Sequence, residues 1–174
     1  MKRTRTTLTL TVAGILMAGV VALPAKDPKP VKPGKKDRCL TCGMFPHKYP
    51  QWAAQVHWSD GSRNYFDGCK CMFRALQDMK KHAPGKTSAD IAAVYVTNYY
   101  TSKPIDGTAA FYVIGSDVLG PMGRELIPFA TEDDAKEFLK DHKGKKILRF
   151  PEITPAVLKP LLHKKKMKHG HEEV

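Results

Sequence analysis

Trp52-Ala53-Ala54-Gln55-Val56-His57-Trp58-Ser59-Asp60-Gly61-Ser62-Arg63-Asn64-Tyr65-Phe66 decides the fold. Trp52, Ala54, Val56 and Trp58 alternate with Ala53, Gln55 and His57, the period of two that marks a half-buried strand. Asp60-Gly61 supplies a tight turn and Arg63 to Phe66 a returning strand, so the stretch reads as a β-hairpin. His57 lies opposite the tryptophan face, and solvent is its expected setting. Beyond the hairpin the period changes to that of a helix. Cys69, Met72, Phe73, Leu76 and Met79 form one apolar stripe, Asp67 is placed to cap it, and Pro84-Gly85 ends the unit. Ile91 to Val96 then gives a nearly unbroken β-favouring run, as a central strand does.

The same order recurs downstream. Ala109 to Ile114 reads as a strand, followed by the Gly/Pro-rich loop Gly120-Pro121-Met122-Gly123 and a weaker strand from Glu125 to Phe129. Thr131 caps a helix whose acidic first turn, Glu132-Asp133-Asp134, suits the positive end of the helix dipole. Its buried stripe is Ala135, Phe138, Leu139 and His142, with Lys143-Gly144 as the stop. Lys146 to Phe150 closes with a strand. The expected fold class is α+β: two ββαβ units packed as a pseudo-repeat, alike in element order and only slightly in residue identity.

The 174 residues divide around one folded part, residues 39–160. Residues 1–25 open with Met1-Lys2-Arg3-Thr4-Arg5 and continue in an uncharged apolar stretch from Leu8 to Leu23, a secretory signal with small residues at Ala22 and Ala25. Threonines interrupt the stretch, which is short against the about 20 apolar residues of a span. Cleavage near Ala22 or Ala25 is favoured over retention as an N-terminal anchor. In both cases the folded part lies outside the cytoplasm, in a periplasm or an equivalent compartment. Residues 26–38 are a Pro/Lys-rich linker, read as extended and solvated. Residues 161–174 are a basic His/Lys-rich tail, in which His163, Met167, His169 and His171 are weak metal candidates against ordinary solvation.

The formal charge is +12, and +9 once Lys2, Arg3 and Arg5 leave with the signal. Export and the lack of a nucleic-acid motif argue against nucleic acid as partner. Attraction to an anionic membrane surface or an acidic partner fits better.

Sulfur carries the chemistry. Cys39-Leu40-Thr41-Cys42-Gly43-Met44 is echoed by Cys69-Lys70-Cys71-Met72. Zinc sites and disulfide frameworks need thiols and have no use for thioethers, whereas thiolate with thioether selects monovalent copper. Cys42 and Met44, two residues apart in a loop braced by Gly43 and Pro46, can turn both sulfurs to one ion. Cys39 belongs to the same group, or forms a disulfide with Cys42 in an oxidising compartment. Cys69 and Met72 share the helix stripe and read as core. Cys71 points off the stripe and is the more available thiol of its pair. Met122, between Pro121 and Gly123, has no apolar periodicity to claim it; it is a soft ligand or a small hydrophobic contact. His47 offers an imidazole. No combination of acid, base and nucleophile suggests an enzyme, and a thioredoxin-like redox role lacks the strand–motif–helix setting.

Cys39-x-x-Cys42-Gly43-Met44, Trp52-x-Ala54-Gln55-Val56, Phe66-Asp67-Gly68-Cys69-x-Cys71-Met72 and Pro121-Met122-Gly123 with the later Phe129-Ala130 resemble, in this order, the NosL family of nitrous oxide reductase accessory proteins. The similarity covers about residues 38–153. The resemblance implies a paired ββαβ fold and a copper(I) chaperone that delivers metal for assembly of a copper cluster. Its partners would be a copper-receiving enzyme such as nitrous oxide reductase and the membrane maturation complex of that enzyme. Carried onto this sequence, it implies Cys42 or Met44 from the first motif and Met122 from the second as sulfur ligands, with Cys39, Cys71 and His47 as secondary candidates. Many relatives are lipoproteins whose signal ends in a cysteine. Here no cysteine precedes Cys39, which follows charged residues, so membrane attachment would be through an uncleaved signal or through charge. Cys71 and the His/Lys tail look like additions to the family pattern. The alternative is a binding module whose cysteines are structural, as a zinc site of Cys39, Cys42, Cys69 and Cys71 or as disulfides.

Overall fold

The structure, a computed structural model, describes residues 28–162. The signal or anchor of residues 1–25 and the tail histidines lie outside the described residues. In chain order the elements are β1 (Ala54–Trp58), β2 (Arg63–Phe66), α1 (Cys69–Gln77), α2 (Met79–His82), β3 (Ile91–Thr97), β4 (Pro104–Asp106), β5 (Phe111–Gly120), β6 (Gly123–Phe129), α3 (Glu132–Asp141), β7 (Lys146–Arg149) and α4 (Pro155–Leu162). They form two sheets, ordered β2-β1-β3-β4 and β6-β5-β7, with every neighbouring pair antiparallel. The first strand of each half is the middle of its sheet, flanked by the second strand and by the strand after the helix. The repeated ββαβ plan is therefore real, with β4 and α4 added to it. No described helix is long and apolar enough to cross a membrane.

Both halves feed one core. Phe66, Met72 and Phe73 from the first pack with Tyr112, Leu126, Leu148 and Leu158 from the second. Phe73 and Tyr112 meet edge to face at 5.2 Å, and the Tyr112 hydroxyl donates to the Gly107 carbonyl at 2.6 Å. A smaller core of Val113, Ile127, Phe129, Ala135 and Phe138 lies beneath α3, as the Ala135/Phe138 stripe predicts. Thr131 caps α3 by accepting from the Asp134 N–H at 3.2 Å.

Several expectations are corrected. β1 is buried on both faces. His57, expected in solvent, is 5% exposed, with Nε2 2.7 Å from Gln55 Oε1. The chain before Cys39 covers that face: the Val31 N–H donates to Gln55 Oε1 at 3.0 Å, and the Tyr95 hydroxyl donates to the Pro28 carbonyl at 2.6 Å. Part of the linker is thus strapped to the sheet, because it offers unpaired backbone groups and the face offers Gln55 and Tyr95. Asp67 does not cap α1. Gly68 stands at the cap position without a side-chain bond, and the helix breaks at Asp78, so Met79 begins α2. The last helix, α4, runs to Leu162, past the expected boundary at residue 160.

Candidate metal centre

The loop from Cys39 to Met44 closes on itself: the Cys39 N–H donates to the Met44 carbonyl at 2.7 Å and the Gly43 N–H to the Cys39 carbonyl at 2.9 Å. Gly43 makes the turn with φ of 77°, a conformation that favours glycine. The loop is stitched to the rest of its half at two points. The Leu40 N–H donates to the Tyr65 carbonyl of β2 at 3.0 Å, and the Thr41 hydroxyl donates to the Cys71 carbonyl in the first turn of α1 at 2.7 Å. These bonds bring the first cysteine motif against the end of β2 and the start of α1, where Asp67 and Cys71 sit.

The result is a compact donor group. The sulfurs of Cys39, Cys42 and Cys71 and a carboxylate oxygen of Asp67 all lie within 4.8 Å of one another. Cys39, Cys71 and Asp67 are 1–2% exposed, while Cys42 is half-buried and forms the group's approach from outside. The Cys42 thiol donates to Asp67 Oδ1 at 3.3 Å; Oδ2 is buried without a hydrogen-bond partner. All four cysteines are free thiols.

The thiols titrate as a unit. A hydrogen bond from Cys71 to the Cys39 sulfur, working against burial, lowers the Cys39 pKa to about 7. The same bond, together with burial, pushes the Cys71 thiol far up. Burial, with smaller contributions from Cys39 and Asp67, raises Cys42 to about 12. The Cys39 thiol, lowered in this way, is the readiest of the three to give up its proton to a metal. Three thiolates in a buried pocket suit a soft or borderline ion.

The structure brings Cys42 together with the secondary candidates Cys39 and Cys71. Cys71 is buried, contrary to the expectation of an available thiol, and yet it faces the group. Cys69 is buried in the core and outside the group, so the four-thiolate zinc arrangement is not formed. Met44 is half-buried in the loop, and Met122 is 41% exposed at the turn between β5 and β6. His47 stands apart from the group, lining a groove of about 350 Å³ with Pro30, Val31, Gln55 and Thr97. Asp67 is the residue the sequence reading missed. Its place between strand and helix is the signal, one that reads equally as a helix cap.

The fold and the thiol group define a two-sheet α+β domain with a candidate centre for a soft metal. The chain belongs to the NosL family, whose model matches residues 30–158. The copper-binding lipoprotein NosL of Stutzerimonas stutzeri is 31% identical over 150 residues, covering 82% of this chain and 73% of that protein. The crystal structure of the copper chaperone NosL from Shewanella denitrificans shares the fold, with a TM-score of 0.64 at 23% identity over 76% of this chain and 99% of that one. These relatives are named a binding protein and a chaperone, not enzymes.

Proposed function

We propose that this chain is an extracytoplasmic copper(I) metallochaperone, and that copper is its cargo. The observation that carries the reading is the group of three thiol sulfurs within 4.8 Å, present in a chain of the NosL family. We assign Cys42 as the principal ligand, with Cys39 and Cys71 completing a thiolate pocket and Met44 and Met122 adding thioethers. A thioether is neutral, needs no deprotonation and favours the monovalent ion, so it holds copper(I) without making the site a trap. The half-buried Cys42 is the point of exchange: a partner's ligand attacks there while Cys39 and Cys71 still hold the ion. The receiver is a copper enzyme, by family nitrous oxide reductase with its membrane maturation complex. Placement at the extracytoplasmic membrane face agrees with the relative's being a lipoprotein and with the basic charge of this chain.

The test is a metal competition on the reduced mature protein under anaerobic conditions, with chromophoric chelators for copper(I) and for zinc. Copper(I) should be retained against chelator concentrations that strip zinc. Equal retention of zinc, with loss of fold when zinc is removed, would instead make the cysteines structural.

A further inference from the structure

Lys70 and Glu125 are both 3% exposed, and neither belongs to the thiol group. Lys70 lies on α1 between Cys69 and Cys71. Its ammonium donates to two carbonyls of the other half, Met122 at 2.7 Å and Arg124 at 2.6 Å. Glu125 bonds the same helix turn: its Oε1 accepts from the Lys70 N–H at 2.5 Å and from the Leu126 N–H at 3.0 Å. The carboxylate lies so close over Gly68 that a Cβ there would collide with it. The α1 N-terminus is therefore capped from 55 residues away, by the strand that follows the Met122 turn.

The turn needs such an anchor. β5 and β6 pair regularly from Phe111 to Ile114, but the register shifts between Ile114 and Leu119. Only Leu119–Arg124 and Gly120–Gly123 pair beyond the shift, so the ladder holds the tip weakly. Leu119 and Met122 at the tip are 62% and 41% exposed. Two carbonyls bonded to one buried ammonium are what tie it to the helix turn carrying Cys71.

We propose that Lys70 and Glu125 are positioning residues that latch the Met122 turn to the first turn of α1 and thereby present the Met122 thioether to the copper site. This rests on the assignment of Met122 as a ligand. A sulfur on a tethered turn binds without first losing the freedom of the loop, so the latch acts through preorganisation.

A double-mutant cycle tests this, with copper(I) affinity measured by chelator competition on the reduced mature protein. Lys70→Leu and Met122→Ile should each weaken affinity by a similar factor, on the order of tenfold. The double variant should be no weaker than Met122→Ile alone. The copper X-ray absorption spectrum of Lys70→Leu should lose one sulfur neighbour, as that of Met122→Ile does, and Lys70→Arg should recover it. If Lys70→Leu does not fold, Lys70→Gln, whose amide falls short of the two carbonyls, reads the same cycle. An unchanged affinity in the Lys70 variant, or an equal further loss in the Met122→Ile background, overturns the latch. Silence of Met122→Ile overturns it as well. The copper function is judged separately, because Cys42→Ser reports on the thiols in the same assay.

Discussion

Cys69 and Cys71 stand two residues apart on α1 and face different surroundings. Cys69 packs against the core, where burial raises its thiol well above the ordinary value, while Cys71 turns to Cys39. Cys69→Ser should therefore lower the stability of the apo-protein by about 1–3 kcal/mol, by placing a hydroxyl among apolar neighbours. Its copper(I) affinity should stay near that of wild type. Cys42→Ser should do the reverse, and thermal melts beside chelator competition would separate the two; reversed effects would exchange the roles. Glu125 makes a second prediction. Burial raises its pKa from 4.5 to about 7, so the folded state holds a proton that the unfolded chain has lost. Stability should fall as pH rises from about 4.5 to about 7 and level off above, by up to about 3 kcal/mol. His57, held below its ordinary pKa of 6.5 by burial and then by Arg63, opposes this as pH rises toward 6.5, because its unfolded form binds the extra proton there. The difference between wild type and Glu125→Gln in urea unfolding at several pH values isolates the carboxyl, and parallel curves would show that it does not titrate in this range. The stripe of α1 was legible from spacing alone, so the burial of Cys69 was expected. The roles of Asp67 and Glu125 were not, because periodicity reports on a residue's own element, and their partners lie 25 and 55 residues away.

At the scale of elements, the period-two and period-3.6 runs located β1, β2, α1, β3, β5, α3 and β7, and Thr131 capped its helix as read. What failed was the setting of the second face of β1. β1 looked half-buried because His57 and Gln55 are polar, but the two side chains satisfy each other and the strap covers them, so polarity gave the wrong exposure. The end of α3 falls where the stop signal puts it, after Asp141. Lys143-Gly144 signals a stop, yet the left-handed residue is Lys143, with φ of 55°. Gly144 is needed for space: a Cβ there would sit 2.8 Å from a Val113 methyl and 3.0 Å from the Leu139 Cα. Lys143→Gly should stabilise the protein by about 1 kcal/mol, relieving the left-handed strain at a smaller entropic cost. Gly144→Ala should destabilise by about 1–3 kcal/mol through overpacking. Equilibrium unfolding of both variants decides which residue the turn requires as glycine. If Gly144→Ala is neutral and Lys143→Gly harmful, the helix ends on Gly144 after all.

For the whole molecule, the doubled ββαβ order could be read because each half repeats the same succession of periods. The contact between halves could not, since it is made by Lys70 and Glu125 and by a core that draws on both. The last helix was hidden for a related reason. Pro155–Leu162 carries Lys159 and Pro160 and runs into the basic tail, so its last residues read as solvated chain. In the structure Leu158 is 2% and Leu161 7% exposed, and α4 packs on α1 and β6. α1 bears Cys71 and Lys70, and β6 bears Glu125, so α4 backs the same two elements that the latch joins. Leu158→Ala should cost the apo-protein about 2–5 kcal/mol, the range for removing a buried leucine side chain. On the proposed reading copper(I) binds the folded chain, so saturating metal should restore part of that loss by mass action and raise the melting temperature of the variant. Urea unfolding with and without copper(I) measures both terms. An apo-variant as stable as wild type would place α4 outside the core. A destabilised variant that copper fails to lift would mean that the metal binds the unfolded chain as well as the folded one.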